Sequence, residues 1–265
     1  MKRPVILTVA ILLIMHVGFC TCRADPPTHS PWKLVFNDEF NGRTLDKDKW
    51  MAADLWIPAG STARFYSKPH GENFEVKGGC CRLLLGSRRT YGRKTTTAHL
   101  LTKDFKQKFG YFEVRMKLAA STGHSHAFWL STGLGSPEAI KKYFAIDIVW
   151  IDGSDKALAT VVSSPDGQRR TDSHQWQPPQ DLSKNYHLYA FEWNDRELIW
   201  YFDGRPIHRL PNSGCRYEAR VHLRTLIADQ AVDVLSGAGM EVDYVRVFRK
   251  LEEIPTDPSL LDGVQ

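Results

Sequence analysis

From Trp32 onward the chain is a succession of short segments in which apolar and polar residues alternate, parted by turn-forming residues. Phe74-Glu-Val-Lys, Arg82-Leu-Leu-Leu, Tyr111-Phe-Glu-Val-Arg-Met-Lys-Leu and Ala145-Ile-Asp-Ile-Val-Trp belong to this series. So do Tyr186-His-Leu-Tyr-Ala-Phe-Glu-Trp, Leu198-Ile-Trp-Tyr-Phe and Met240-Glu-Val-Asp-Tyr-Val-Arg-Val-Phe. A period of two sends successive side chains to opposite faces of a strand, so most of these segments have one face to bury. Lys77-Gly-Gly, Trp193-Asn-Asp and Asp203-Gly204 punctuate them, and Asp203-Gly204 between two strands predicts a tight hairpin. Helical periodicity is confined to residues 137–142 and 181–184. The expectation is an all-β fold: two antiparallel sheets packed face to face as one domain. A chain of 265 residues, 42% of them hydrophobic, is long enough to fill the core between two such sheets.

Residues 1–24 have the layout of a secretory signal peptide. Lys2 and Arg3 precede an apolar run from Val5 to Phe19, and Cys22-Arg23-Ala24 puts small residues at the minus-three and minus-one positions of a cut before Asp25. The apolar run of about 15 residues falls short of the roughly 20 that span a bilayer, so no membrane attachment is expected after cleavage. A secreted or periplasmic protein follows. Residues 25–31 then form a Pro-rich lead-in, residues 32–249 the β-sandwich domain, and residues 250–265 a tail with Pro255 and Pro258. The leader carries three of the 35 basic residues and none of the 30 acidic ones, so the charge beyond it is close to balance. A nucleic-acid partner is therefore not expected. The sandwich is expected to be a monomer.

Cleavage also removes Cys20 and Cys22 and leaves Cys80, Cys81 and Cys215. An odd number permits one pair at most, and adjacent strand residues face opposite ways, so only one of Cys80 and Cys81 can meet Cys215. One disulfide with a thiol left over, or three free thiols, both remain open. No Cys-x-x-Cys or His-rich spacing points to zinc. None of the eight Trp lies in the leader. Some must fill the core, and others suit a groove in which flat rings stack on sugar faces.

The order of several segments carries a resemblance. Trp32-Lys-Leu-Val-Phe-Asn-Asp-Glu-Phe-Asn-Gly is followed by Leu45 and Trp50, then Phe109-Gly-Tyr-Phe-Glu-Val-Arg-Met-Lys, then Ala127-Phe-Trp-Leu. Tyr189-Ala-Phe-Glu-Trp, Trp200-Tyr-Phe-Asp-Gly and the closing strand from Met240 complete the series. In this order they resemble glycoside hydrolase family 16, which includes laminarinases, lichenases, agarases, porphyranases and carrageenases. The resemblance spans residues 32–249. It implies a concanavalin A-like β-jelly roll with a glycan groove on its concave sheet, and a polysaccharide partner, β-glucan or galactan.

The family's catalytic strand reads Glu-x-Asp-x-x-Glu: nucleophile, supporting Asp, acid/base. Retaining chemistry needs the two outer carboxyl groups about 5 Å apart. The matching segment here is Ala145-Ile-Asp-Ile-Val-Trp150, with Asp147 in the supporting place, Ala145 in that of the nucleophile and Trp150 in that of the acid/base. Alanine cannot form a glycosyl-enzyme, and an indole cannot protonate a leaving oxygen. No Glu occurs between Glu138 and Glu192, so a shifted alignment supplies none. The resemblance thus implies a homologue that binds a polysaccharide without cleaving it. Two other readings stay open. Asp147 and Asp152 have the family pair's five-position spacing and would make a relocated catalytic pair, although Asp152-Gly153-Ser154 is a strong turn signal. The sandwich could instead serve a structural or partner-binding role.

On the same resemblance Trp129 matches a groove residue and is expected to be a sugar platform. Trp150 is a second platform or a filler of the site. His124 and His126, two apart on the same strand, permit metal binding or sugar hydrogen bonds, with ordinary polar groove residues the commoner reading. Trp56 and Trp176 suit a rim or, equally, a hydrophobic plug, and Trp193 and Trp200 suit the core. No cofactor is required. Asp243 matches an Asp that in the family helps hold a structural Ca²⁺ with carbonyls near Gly78-Gly79; the plainer reading is a surface Asp. Arg82, Arg88, Arg89, Arg93 and Lys94 form a basic cluster that makes a sulfated galactan a candidate partner, beside the plainer reading of a solvated hairpin edge.

Overall fold

A computed structural model describes residues 26–27, 31–52, 73–86, 96–119, 124–133, 142–151, 157–163, 170–227 and 239–251. Residues 1–25 with the expected leader, residues 252–265, Trp56, Asp152, residues 137–141 where helical periodicity is expected, and the basic residues 88–94 lie outside them. The described strands begin with β1 (Trp32–Asp38), β2 (Trp50–Ala52), β3 (Phe74–Lys77), β4 (Cys80–Leu84) and β5 (Ala98–Thr102). Next come β6 (Gly110–Lys117), β7 (His124–Ser131), β8 (Phe144–Ile151), β9 (Ala157–Ser163) and β10 (Arg170–Trp176). The series closes with β11 (His187–Trp193), β12 (Glu197–Phe202), β13 (Arg205–Pro211), β14 (Arg220–Ile227) and β15 (Gly239–Lys250). No helix occurs among the described residues.

An eight-stranded sheet has the order β13-β12-β11-β6-β15-β4-β3, with β1 also on β15, and a seven-stranded sheet has the order β10-β9-β8-β7-β14-β5-β2. The pairings are antiparallel throughout, and β1 meets the last strand with Trp32 opposite Lys250. The chain crosses repeatedly between the sheets: β6 lies between β11 and β15, and β7 between β8 and β14. This is the all-β sandwich that the alternation predicts.

Alternation also decides what fills the middle. Phe112, Val114 and Met116 of β6 face Phe128 and Leu130 of β7 and Val221 and Leu223 of β14 in one core, each fully buried. Trp193 and Trp200 join it as expected, at 1% and 0% exposure. The hairpin joining β12 and β13 is also as expected. Phe202 pairs with Arg205, and the two residues between them, Asp203 at φ 46° and Gly204 at φ 76°, take the left-handed conformation that a type I′ turn demands. Residues 181–184, by contrast, form a turn and not a helix. The Asp181 carboxylate accepts the Ser183 N–H at 2.9 Å, a local bond that competes with helix continuation.

Cys80, Cys81 and Cys215 are free thiols, which is the second of the two arrangements that the count left open. Cys81 turns into the core while its neighbour Cys80 is half-buried. Burial pushes the Cys215 thiol up to about 12 and that of Cys81 higher still.

Candidate functional site

The site begins with an irregularity in β8. Phe128 of β7 lies opposite Val149, and the next residue, Trp129, lies opposite Asp147, so Ile148 has no partner of its own. This bulge shifts the phase of the strand. Ile146, Ile148 and Val149 all point into the core, at 4% exposure or less, while Ala145, Asp147 and Trp150 are half-buried on the outer face of the sheet. Strict alternation would have turned Trp150 inward. Two hydrogen bonds hold the arrangement. The indole N–H of Trp200, reaching across the sandwich from β12, donates to the Asp147 carbonyl at 2.9 Å. The indole N–H of Trp150 donates to Ser125 Oγ at 2.6 Å.

β7 and β14 pair without a break, and their register carries the three positions of β8 across the sheet. Ala145, Ser131 and Arg220 form one row; Asp147, Trp129 and His222 form the next; Trp150, Ala127 and Arg224 form the third. β5 extends the last two, placing Leu101 beside His222 and His99 beside Arg224. The outer face thus gathers one carboxylate, two guanidiniums, two imidazoles and two indoles.

Trp129 is the hub. Its ring stacks on His222 at 4.6 Å and on His99 at 4.9 Å between centroids, and the Arg224 guanidinium lies 4.7 Å from its centre. His99 Nε2 and His222 Nδ1 are 3.1 Å apart, so one imidazole donates to the other. Burial, with Arg224 among the neighbouring groups, lowers the two imidazoles to about 2 and about 3, and both are neutral at physiological pH. Burial raises the Asp147 carboxyl to about 6 against the pull of Arg224, and lowers the Arg224 guanidinium. Nε of Arg220, Nε of Arg224, Nδ1 of His99 and Nε2 of His222 are buried without a hydrogen-bond partner. All four atoms belong to the outer-face rows of the seven-stranded sheet.

Trp129 and Trp150 both belong to these rows, but differently. Trp129 is 9% exposed, its ring covered by the imidazoles and the guanidinium, whereas Trp150 remains partly open. His126 does not join them. β7 has no bulge, so a residue three positions from Trp129 faces the opposite way. His126 lies inside the sandwich at 2% exposure, with Nδ1 2.9 Å from Thr225 Oγ1, and burial lowers it to about 3. His124 shares that face. Trp176 takes the plugging role of the two open to it: half-buried, it packs on Phe202 of the other sheet at 4.6 Å.

Asp243 stands on the eight-stranded sheet, where its carboxylate bonds the Arg115 guanidinium at 2.5 Å. A carboxylate already neutralised by a guanidinium does not fit a divalent cation beside it. Among the described residues no three His, Cys, Asp or Glu side chains converge on a point that a metal ion could occupy. Of the basic cluster only Arg82 is described, and it pairs with Glu241 at 3.0 Å. A cavity of about 1190 Å³ between edge strands β2 and β3, lined by Leu45, Trp50, Met51, Phe74, Val76 and Lys103, contains none of the rows' residues.

Sequence reasoning missed Arg220, His222, Arg224 and His99. For the first three the signal was present: Arg220-Val-His-Leu-Arg224 alternates polar with apolar as strictly as any segment quoted above.

Comparison with known proteins gives a consistent result. Residues 63–224 match the family model for glycosyl hydrolases family 16. The alpha subunit of clotting factor G from Tachypleus tridentatus is 27% identical over 274 residues, covering 95% of this chain and 39% of that protein. A beta-glucanase from Rhodothermus marinus is 26% identical over 287 residues, covering 92% of this chain and 94% of its own length. The endo-1,3-1,4-beta-glycanase ExsH of Rhizobium meliloti is 28% identical over 246 residues, covering 81% of this chain and 51% of that protein. The chain therefore spans well under two thirds of the first and third of these relatives. Among solved structures, the laminarinase from Rhodothermus marinus superposes with a TM-score of 0.74 at 24% identity, over 84% of this chain and all of that one. LamAcat from Zobellia galactanivorans gives 0.71 at 22% identity, over 82% of this chain and 97% of that one. At these identities the structural likeness shows the fold.

Proposed function

The chain belongs to glycosyl hydrolase family 16, and on that premise we propose that it is an exported member that holds a β-linked polysaccharide, a β-glucan or galactan, without hydrolysing it. The outer face of β8 carries this reading. Retaining hydrolysis takes two carboxyl groups about 5 Å apart, one ionised and one protonated. The bulge at Ile148 presents positions 145, 147 and 150 together, and only Asp147 among them is an acid. On this reading Ala145 and Trp150 stand where the family strand has its two Glu. The partly open indole of Trp150, fixed by Ser125, is the sugar platform. Asp147 accepts from sugar hydroxyls, and Trp129 acts mainly as the support on which His99, His222 and Arg224 are arranged. The beta-glucanases and laminarinases among the similar proteins support a β-glucan as the polymer, and the layout of residues 1–24 supports export.

The test pairs reducing-end release with affinity electrophoresis on laminarin, lichenan, agarose, porphyran and carrageenan. Retarded migration without new reducing ends, weakened by Trp150→Ala, is the expected result. New reducing ends that vanish in Asp147→Asn overturn it.

One observation favours a second reading. A carboxyl held up to about 6 is suited to proton transfer near neutrality, and Asp147 with Asp152 would then form a relocated hydrolytic pair. The same two assays separate the readings, since only this one yields products.

A further inference from the structure

β10 and β13 are end strands of the two sheets, and histidines make a contact between them. His174 of β10 and His208 of β13 lie face to face, their ring centroids 4.1 Å apart and their planes 1° from parallel. Trp176 on Phe202, at 4.6 Å, is a second contact across the same edge. Two neutral imidazoles stack in this way, and one imidazolium against a neutral ring is tolerated. Two imidazoliums at this separation repel. Both rings are half-buried, so protons reach them from solvent.

The pair is joined to the candidate site. His208 lies opposite Trp200 in the pairing of β12 with β13, and its ring packs on the indole at 5.2 Å. That indole donates to the Asp147 carbonyl and ties the bulge of β8 to the core. A displacement of His208 therefore bears on Asp147 through a single intervening side chain.

The charged groups around the pair do not neutralise it. Burial and the facing His174 lower His208 below its ordinary value, against the pull of Asp172, an exposed carboxylate two residues before His174. On the outer face of the eight-stranded sheet Glu197 of β12 and Arg209 of β13 bond each other, and Tyr201 of β12 bonds Glu192 of β11. Arg205 of β13 is exposed. His187 of β11 stacks on Phe202 and is held by Asp203 at 2.9 Å. β9, the partner of β10, contains no ionisable residue. Asp147, on the outer face of β8, titrates near 6 and is a competing source of a response to acid.

We infer that His174 and His208 form an acid-sensitive latch, which holds the β10 and β13 edges together while at most one ring is charged. When both are charged it parts and loosens the tie between Trp200 and Asp147. As regulation of the ligand face the inference rests on the polysaccharide reading above; as a property of the fold it does not, and its experiment needs no ligand.

The test follows, by nuclear magnetic resonance of the purified protein, the exchange of the Trp200 indole N–H with solvent deuterium, corrected for the intrinsic effect of pH. Trp200→Phe identifies the resonance. Between about pH 7.5 and about pH 5 the corrected rate should rise about tenfold, as two facing charges populate the parted edge. His174→Phe keeps a flat ring without the charge and should hold the rate constant over that range, as should His208→Phe. Asp147→Asn should retain the rise. A wild-type rate that does not change with pH overturns the inference. So does a rise that survives in His174→Phe, or one that Asp147→Asn removes, which assigns the response to the carboxyl. Melting temperatures at both pH values verify that each variant is folded, and His174→Gln serves where the phenylalanine variant is not. Failure of every polymer to bind, with the acid response present, removes the polysaccharide reading and leaves the latch standing.

Discussion

The indole N–H of Trp200 donates to the backbone carbonyl of Asp147 from the opposite sheet, at 2.9 Å. One buried side chain of the core thereby fixes the strand position at the centre of the candidate site.

Replacing Trp200 by Phe keeps an aromatic ring in the core but leaves the Asp147 carbonyl without its donor. Loss of about 1–3 kcal/mol is expected from that alone, with a smaller addition from the lost ring volume. Urea denaturation measures it. Polysaccharide retardation should weaken in the same variant under conditions where it remains folded, because the bulge loses its tie to the core.

Asp147 makes stability fall as pH rises. Its folded carboxyl titrates near 6, above the ordinary value of 3.8, so between those two pH values the folded state holds a proton that the unfolded state has released. Stability therefore declines between about pH 4 and pH 6, by about 3 kcal/mol in all. Asp147→Asn should remove this decline, which the difference in melting temperature between wild type and variant will report from pH 4 to pH 7.

The buried imidazoles act in the opposite sense. His222 and His126 titrate near 3 when folded and near 6.5 when unfolded, so acidification through that window protonates the unfolded chain first and costs stability. His222→Gln should unfold at lower pH than wild type in an acid titration followed by tryptophan fluorescence. An unchanged midpoint would show that the imidazole is not withdrawn from solvent as described.

Ser125 holds the Trp150 indole by a single bond of 2.6 Å. Ser125→Ala should leave the melting temperature within a few degrees of wild type and weaken polysaccharide retardation severalfold, since a ring that must be ordered on binding costs rotamer entropy. An unaltered affinity would show that Trp150 is not a platform.

Of the three thiols beyond residue 24, Cys81 and Cys215 are buried, at 0% and 1% exposure, and burial keeps both protonated. A thiol reagent applied to the native protein without residues 1–24 should therefore modify Cys80 alone, and denaturant should release the other two.

The strands and the hairpin were legible because each depends on neighbours in sequence. Tyr111 to Leu118 alternates, and Asp203-Gly204 can hardly do anything but turn. The side that His126 faces was legible in principle too, since only parity with Trp129 decides it. The rows were not. That Arg220, His222 and Arg224 lie across from Ser131, Trp129 and Ala127 follows from a pairing between strands 89 residues apart, which no local pattern specifies. The covering of Trp129 was equally hidden, because His99 and His222 arrive from two further strands. Aspartate 243 shows the complementary difficulty: an acid is visible in sequence, but the Arg115 that occupies it lies 128 residues away.

Ile148 works as a phase corrector. It takes up one residue of length without using one side of the sheet, so everything after it in β8 is half a turn out of step with simple counting. Pairing it regularly, with no bulge, would leave composition unaltered and yet exchange inside for outside at Val149 and Trp150. The indole would be driven toward the space that Trp200 already fills. A single unpaired isoleucine therefore decides whether this strand presents a surface to its ligand or hides it.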